Sequence, residues 1–183
     1  MPTHSIQLPG TGALAPSYDE PFEMLHACHE RVQRMLALLE RLRRHVDAQG
    51  ADEQARQAAR DVMRYFDQAA PQHHLDEENH VIPRLLASGD SSLIDLGRRL
   101  RADHRAMEAA WAGARPVLLS LAEGGIHQLD ADAHRALDEF TLLHASHIAA
   151  EESAAFPAAL GSMDAAAIRA MSQDMMRRRG VAQ

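Results

Sequence analysis

The sequence predicts an all-α protein: an up-down-up-down four-helix bundle with a short extra C-terminal helix. Three observations lead to this fold class. Ala and Leu supply much of the 46% hydrophobic content, and both residues favour helix over sheet. Apolar residues recur at helical spacing along most of the chain. Short turn signals separate four long segments that show this spacing, as in an antiparallel bundle.

Each helix is predicted from its apolar stripe and from the residues that flank it. Pro21 suits the first turn of the first helix, which Ser17 or Asp19 could cap. Gly50 ends this helix, and Pro71 should kink the second one. The five helices are predicted at about residues 19–48, 52–87, 91–123, 128–160 and 164–178.

The chain divides into three parts. Residues 1–18, rich in Pro and Gly, should form an N-terminal arm; residues 19–161 form the bundle; residues 162–183 form a C-terminal helix and tail. The C-terminal helix has a Met-rich face that could cover the bundle or bind a protein partner, including a second copy of the chain. This face consists of Ile168, Met171, Met175 and Met176, and Arg177, Arg178 and Arg179 beyond it are predicted to be solvated.

Composition argues against several classes of protein. A formal net charge of -7 argues against nucleic-acid binding. No apolar run reaches the roughly 18 residues that a membrane helix needs, and we expect no signal peptide at the N-terminus. Cys28 is the single cysteine, so an internal disulfide framework is excluded and a reducing, cytoplasmic location is expected.

An internal repeat contains the residues expected to carry the chemistry. The stretches HHLDEENHVIP at 73–83 and HIAAEESAAFP at 147–157 both fit His-x3-Glu-Glu-x4-Pro. A His and a Glu four residues apart lie on one face of a helix, one turn from each other. Each copy can therefore direct one imidazole and one carboxylate towards a single ion. The pairs are His73 with Glu77 and His147 with Glu151.

The first and third helices supply two further histidines at matching positions. His29 and His104 each follow a Leu by four residues. His29 precedes His73 by 44 residues, and His104 precedes His147 by 43. Each half is therefore a helical hairpin that brings two imidazoles and one carboxylate to the same depth. Pairing the halves about a pseudo-twofold axis would gather four His and two Glu in the bundle core.

Bound metal is the simplest explanation for such a cluster. Buried carboxylates and imidazoles are costly unless something compensates them, and a cation does so. Mixed nitrogen and oxygen ligands suit iron, manganese or zinc more than calcium or magnesium. Six ligands exceed the need of one tetrahedral zinc, and two carboxylates suggest two ions about 3.5–4 Å apart. We infer a binuclear site with open positions for oxygen, solvent or another small ligand.

In these motifs the chain resembles the hemerythrin-like HHE cation-binding domain family, a di-iron four-helix bundle. The resemblance covers about residues 20–160. It rests on both copies of the repeat, on Cys-His-Glu-Arg around His29 and on Asp-His-Arg around His104. The resemblance implies six iron ligands, of which the two Glu would bridge: His29, His73, Glu77, His104, His147 and Glu151.

The resemblance also implies a cofactor and its ligands. We expect two iron ions, ferrous or ferric, with an oxo or hydroxo bridge, and zinc or manganese as substitutes. Proteins of the family bind dioxygen, nitric oxide or peroxide, or sense and supply iron. Oxygen-carrying hemerythrins have a second His four residues after the third-helix His, where this chain has Glu108. Glu108 could be an additional ligand, and an added anionic ligand would disfavour reversible oxygen carriage.

Other polar residues near the motifs have more than one interpretation. His74 with Glu78 repeats the His–Glu spacing on a neighbouring face, but the internal repeat favours His73 as the ligand. Glu78 and Glu152 are rotated by about 100° from the ligands and should be outer partners of the centre or solvated charges. His144 could line a pocket, support a ligand or pack in the core.

Two further sets are assigned by their position relative to the stripes. One set should form core and could make a dry wall that controls ligand access: Phe66, Met107, Trp111 and Phe140. The other set should be solvated: His26, His45, His127 and His134.

Three functions from different classes fit these residues. The favoured one is a di-iron protein that binds a small ligand in oxygen, redox or iron sensing or handling. The second is a di-iron oxidoreductase that acts on peroxide, nitric oxide or ferrous iron. The third is a bundle with a structural metal that binds a protein partner through its Met-rich helix.

Overall fold

The computed structural model describes residues 18–181, which form five helices and no strands. The predicted all-α class is confirmed. Helices α1, α3 and α5 are Pro21–Gln49, Ser91–Glu123 and Ala165–Arg178. Ser17 and the rest of the predicted arm before it lie outside the described residues. None of the described helices has the length and apolarity to cross a membrane.

Helices α2 and α4 are composite, because each contains a π-helical turn. Helix α2 consists of Glu53–Asp76, the π-helical turn Glu77–Val81 and Ile82–Leu86. Helix α4 consists of Ala131–Leu142, His144–Ala150, the π-helical turn Glu151–Ala155 and Phe156–Gly161. Helical bonding in α2 continues past Pro71. The departure from α-helical geometry therefore comes later than the predicted kink, at the π-helical turn.

Aspartate residues begin four of the five helices. The side chain of each accepts a hydrogen bond from a backbone N–H of the first turn, which satisfies donors that the helix leaves unpaired. These N-caps of α2 to α5 are Asp52, Asp90, Asp130 and Asp164. Helix α1 differs, because its N-cap is Glu20 rather than Asp19 and no capping hydrogen bond from the Glu20 side chain is formed within the described residues. Pro21 takes the first turn as predicted.

Consecutive long helices pack against each other. Helix α2 contacts both α1 and α3, and α3 also contacts α4. Ion pairs join α4 back to α1: Arg43 lies 2.7 Å from Asp138, and His134 lies 3.0 Å from Asp47. Each of the four long helices therefore has two long neighbours.

Two apolar clusters fill the interior on either side of one polar layer. Along α1, α2 and α3, the predicted ligands lie between residues of the large cluster and residues of the small one; on α4 they flank Ile148, the last residue of the large cluster. The large cluster includes Val32, Leu39, Val62, Phe66, Leu118 and Phe140, and the small cluster includes Leu25, Val81, Ile82, Leu100, Phe156 and Met171. Apolar packing therefore separates the polar layer from water on both sides.

Helix α5 covers the end of the bundle that contains the small cluster. Met171 and Met175 are buried there, so the Met-rich face covers the bundle, which is one of its two predicted roles. The prediction that Arg178 and Arg179 are solvated is wrong, because their guanidinium groups lie 2.5 and 2.6 Å from the fully buried carboxylate of Asp76. The sequence gives no sign of this ion pair, since it forms only when α5 docks against α2.

Candidate metal centre

The six predicted ligands meet in the polar layer. All six are buried, and none is more than 4% exposed. Each of the four long helices contributes at least one of them, and α2 and α4 contribute a His and a Glu each. They are His29 on α1, His73 and Glu77 on α2, His104 on α3, and His147 and Glu151 on α4. The structure therefore brings together the whole set that the sequence selected.

The imidazoles of the first half form one group with both carboxylates, called here the first group. It consists of His29, His73, Glu77 and Glu151, with one ligand atom from each residue within 4.8 Å of the others. The Nε2 atom of His29 lies 3.1 Å from Glu151 Oε2, and that of His73 lies 3.2 Å from Glu77 Oε1. A cation at this point would have two nitrogen and two oxygen ligands.

The imidazoles of the second half form the second group with the same two carboxylates. It consists of His104, His147, Glu77 and Glu151. The Nε2 atom of His104 lies 3.3 Å from Glu77 Oε2, and that of His147 lies 3.0 Å from Glu151 Oε1. Each carboxylate thus places one oxygen nearest a histidine of the first group and the other nearest a histidine of the second.

The ligand atoms themselves lack ordinary hydrogen-bond partners. Both carboxylate oxygens of Glu77 and of Glu151 are buried without one among the described residues. The same holds for the Nε2 atoms of His29, His104 and His147. Buried polar atoms are normally satisfied, and leaving several unpaired in one place is costly. A bound cation would satisfy all of them at once, so the residues present fit a metal ion.

The two π-helical turns begin at the two carboxylate ligands. The backbone N–H of Ile82 donates to Glu77 O, five residues earlier, and that of Phe156 donates to Glu151 O. A proline follows each acceptor by six residues; it has no N–H, and its ring would collide with the carbonyl four residues before it. The wider turn relieves this conflict, and such turns are frequent at functional sites. The Glu-Glu-x4-Pro spacing of the repeat was the signal for this feature, which the sequence analysis missed.

Three of the four candidate ligand imidazoles have a carboxylate beside the ring nitrogen that faces away from the two groups. The Nδ1 atom of His29 lies 3.0 Å from Glu152 Oε1, and that of His104 lies 3.2 Å from Glu78 Oε1. Glu78 and Glu152 were predicted to be either outer partners of the centre or solvated charges, and the structure places them as outer partners. Each carboxylate supports a histidine of the opposite half. Such partners fix the tautomer and orientation of a ligand imidazole and raise its basicity.

The other two imidazoles, those of His147 and His73, differ in whether Nδ1 has a hydrogen-bond partner. His147 Nδ1 lies 3.3 Å from Asp103 Oδ2. By contrast, His73 Nδ1 is buried and has no hydrogen-bond partner within residues 18–181. The repeat explains the difference: Asp103 immediately precedes the third-helix ligand, and Cys28 occupies the corresponding place before the first-helix ligand. The sequence analysis missed the role of Asp103, although aligning the two helices at their ligands would have shown it.

The imidazoles and carboxylates of the centre shift one another's pKa values. Burial lowers the pKa of His29 and of His104, but Glu151 and Glu77 raise it, and the result is a pKa of about 10 for each imidazole. Burial and Glu151 raise the pKa of Glu77, whereas the nearby imidazoles lower it to about 2. In the metal-free protein, two protonated imidazoles therefore balance two carboxylates, and metal binding must displace their protons.

His74, His144 and Glu108, for which the sequence left more than one role, lie beside the two groups rather than in them. His74 stacks on His104 with ring centroids 4.1 Å apart, and burial lowers its pKa to about 3. The Nδ1 of His144 lies 2.9 Å from Phe140 O, and burial lowers its pKa to about 4. Glu108 is exposed and belongs to neither group. His73, not its neighbour, is therefore the α2 histidine that joins the cluster.

A small cavity lies next to this centre. It has a volume of about 60 Å³, and it contains His74, His144 and Glu108 in its wall. The predicted dry wall forms most of the rest: Phe66, Met107, Trp111 and Phe140, together with Ala70 and Pro71. The cavity thus has aromatic and aliphatic sides. The side chain of His74 lies between it and His104 of the second group.

The histidines predicted to be solvated are mostly partners of surface carboxylates. His26 Nδ1 lies 3.4 Å from Glu152 Oε1, and its side chain is 41% exposed. His45 and His134 are less exposed than predicted, because each pairs with a carboxylate, Asp52 or Asp47, at 3.0 Å. His127, the fourth of these histidines, is exposed as predicted.

The described helices bring four buried His and two buried Glu together as two groups that share both carboxylates, and this donor set is typical of metal-binding helical bundles. The chain matches the model of the hemerythrin HHE cation binding domain over residues 20–159, and it therefore belongs to this family. It is also similar to an uncharacterized protein of Haemophilus influenzae, with 29% identity over 136 residues, or 74% of this chain and 77% of that protein.

Proposed function

We propose that this protein is a non-haem di-iron protein that binds a small ligand at the buried centre. The proposed ligands of the irons are His29 and His73 for one ion and His104 and His147 for the other, with Glu77 and Glu151 between them. The small ligand would be dioxygen, nitric oxide or peroxide, in oxygen, redox or iron sensing or handling. The proposed arrangement of the four long helices is up-down-up-down, which the neighbour contacts described above support.

One observation carries this proposal: two groups of ligand atoms share the same two carboxylates. A single ion in one group would leave the two imidazoles of the other group buried beside the shared carboxylates without a cation. Two ions use both oxygens of each carboxylate and the unpaired Nε2 atoms of His29, His104 and His147. Bridging carboxylates and open positions are typical of sites in which two metal ions act together.

The donor set and the family favour iron. Imidazole nitrogens and carboxylate oxygens suit iron, manganese and zinc, and they suit calcium and magnesium less. The chain belongs to a cation-binding family that was named for hemerythrin. Bound iron would supply redox chemistry and open coordination positions. The protein supplies an environment that is buried, fixed by outer carboxylates and closed by apolar clusters.

The size of the adjacent cavity supports a small ligand. A cavity needs on the order of 10–15 Å³ to hold one water, so 60 Å³ has room for a diatomic molecule or peroxide. Pockets for drug-sized molecules have volumes of roughly 300–1,000 Å³. The apolar wall would favour an uncharged or weakly hydrated ligand, and the neutral imidazole of His74 could donate a hydrogen bond to it.

The proposal is tested by combining oxygen exposure with a variant that fills the cavity. Reduced, iron-loaded protein is mixed with oxygen and followed by absorption. A lasting band that disappears on removal of oxygen supports binding, whereas continuing oxygen consumption supports the oxidoreductase alternative. In Ala70→Leu, the added carbons extend into the cavity that Ala70 lines, and no proposed ligand is replaced. We expect unchanged iron content and a much slower oxygen response.

The matched control for this variant is Ala69→Leu. Ala69 is the neighbouring residue on α2, and it lines a separate surface depression with Met35 and Tyr65. We expect the Ala69→Leu variant to respond to oxygen as the unchanged protein does. An unchanged response in Ala70→Leu would contradict the proposed route for the ligand, and no response in any variant would leave a structural role for the metal.

A further inference from the structure

We propose that a surface site formed by His26, Glu152 and His29, called here the outer site, takes up a divalent metal ion and passes it to the first group. Ferrous iron is the ion that the proposed centre calls for. The proposal rests on the di-iron function proposed above. It adds to the two buried positions an outer position that an ion occupies only on its way to or from the centre.

The outer site has the residues and the exposure that metal capture needs. The Nδ1 atoms of His26 and His29 lie 3.4 and 3.0 Å from the same oxygen, Glu152 Oε1. One ligand atom from each of the three residues lies within 4.8 Å of the others. The side chains of His26 and Glu152 are 41% and 39% exposed, whereas that of His29 is 2% exposed. The three residues therefore connect water with the interior.

His29 belongs to both the outer site and the first group. Its Nδ1 faces Glu152 at 3.0 Å, and its Nε2 faces Glu151 at 3.1 Å. An ion bound at the outer site is therefore one imidazole ring away from the buried position. Transfer exchanges one nitrogen ligand of the same ring for the other, and the ion gains Glu151 as it loses Glu152. Binding at the outer site releases the Nδ1 proton to water; on transfer the ion displaces the proton of Nε2, and Nδ1 takes up a proton and faces Glu152 again, so protons and charge balance.

The first group is also the one better suited to exchange. Its other imidazole, His73, has an Nδ1 without a hydrogen-bond partner in the described part of the chain. Both imidazoles of the second group, His104 and His147, are fixed by outer carboxylates at 3.2 and 3.3 Å. Losing such a partner typically costs about 10–100-fold in metal affinity. The first group should therefore release its ion more readily than the second.

Among residues 18–181, no comparable group of possible metal ligands lies outside the second group. His26 stands three residues before His29, and the residue three places before His104 is Arg101. A guanidinium group cannot bind a cation and repels it. The repeat thus provides a natural comparison: the same place in two equivalent hairpins carries a metal ligand in one and a positive charge in the other.

The test measures the rate of iron uptake by the full-length metal-free protein. Ferrous iron is added without oxygen to the unchanged protein, to His26→Gln and to the matched control Arg101→Gln, and uptake and later release to a chelator are followed. We expect His26→Gln to bind the same final amount of iron, with uptake and release slowed by the same factor, because a site on the path to the centre changes the rates and leaves the affinity of the centre unchanged. The control should load at the unchanged rate or faster.

The outcomes separate the outer site from the di-iron proposal. If the unchanged protein binds fewer than two ions, the proposed centre fails. If it binds two and His26→Gln loads at the same rate, the outer site is wrong and the centre stands. Equal slowing by Arg101→Gln, or a lower final iron content in His26→Gln, would also overturn the outer site, because either result indicates a general structural effect.

Discussion

The substitutions Glu77→Gln and Glu78→Gln give the sharpest test of the predicted register. The two residues are adjacent and chemically identical, yet Glu77 is fully buried with an oxygen in each group, whereas Glu78 is 36% exposed and faces the Nδ1 of His104 from outside the groups. Glu77→Gln removes the charge that both ions share, so we expect neither ion to stay bound. Glu78→Gln weakens one outer contact, so we expect about a tenfold loss of affinity at one position, or about 1.4 kcal/mol.

The assay is iron titration of the metal-free variants followed by elemental analysis after desalting. Circular dichroism of each metal-free variant shows whether the helices still form. We expect no retained iron in Glu77→Gln and nearly full iron in Glu78→Gln when iron is in excess. Equal losses in two folded variants would refute the register, and a larger loss in Glu78→Gln would move the ligand to the neighbouring face.

Three further predictions concern the difference between the two groups, the ion pair that joins α5 to α2, and the effect of pH. Asp103→Ala, which leaves His147 without its outer partner, should weaken the second group about 10–100-fold, so that a two-step iron titration merges into one step. Replacing both Arg178 and Arg179 by Ala leaves the charge of Asp76 buried and unpaired, so chemical denaturation should show a loss of about 3–5 kcal/mol; an unchanged midpoint would contradict the ion pair. In the metal-free protein, the pKa of two ligand imidazoles is raised to about 10, so their contribution to stability is complete below about pH 6.5 and is lost as pH rises through 10. Iron binding should depend on pH in the opposite sense, with release by about pH 4, where free imidazoles are protonated; retention there would argue against His ligands.

The sequence was sufficient to predict the helical class and the composition of the polar layer. Helical periodicity gave the five helices to within a few residues. The repeat favoured His73 over His74, and the matching positions of His29 and His104 completed the set that the structure brings together. These features are local or periodic, so they can be recognised without knowledge of the packing.

Features that depend on how helices meet could not be predicted in the same way. Glu152 supports His29 across the interface between the halves, and Asp76 pairs with arginines about one hundred residues later. Both contacts need the final packing of α1 against α4 and of α5 against α2. The π-helical turns are an intermediate case, because the proline that follows Glu77 and Glu151 by six residues is visible in the sequence, although Pro71 lies within a helix that has no such turn before it.

The central claim is that two metal ions share two buried carboxylates, and iron stoichiometry tests it most directly. Metal-free protein is reconstituted with ferrous iron without oxygen, freed of excess iron and analysed for iron per chain, with Glu151→Gln as the comparison. The claim predicts two irons per chain in the unchanged protein and none in the variant, because Glu151 contributes to both groups. One iron per chain in the unchanged protein, or two in the variant, would contradict it.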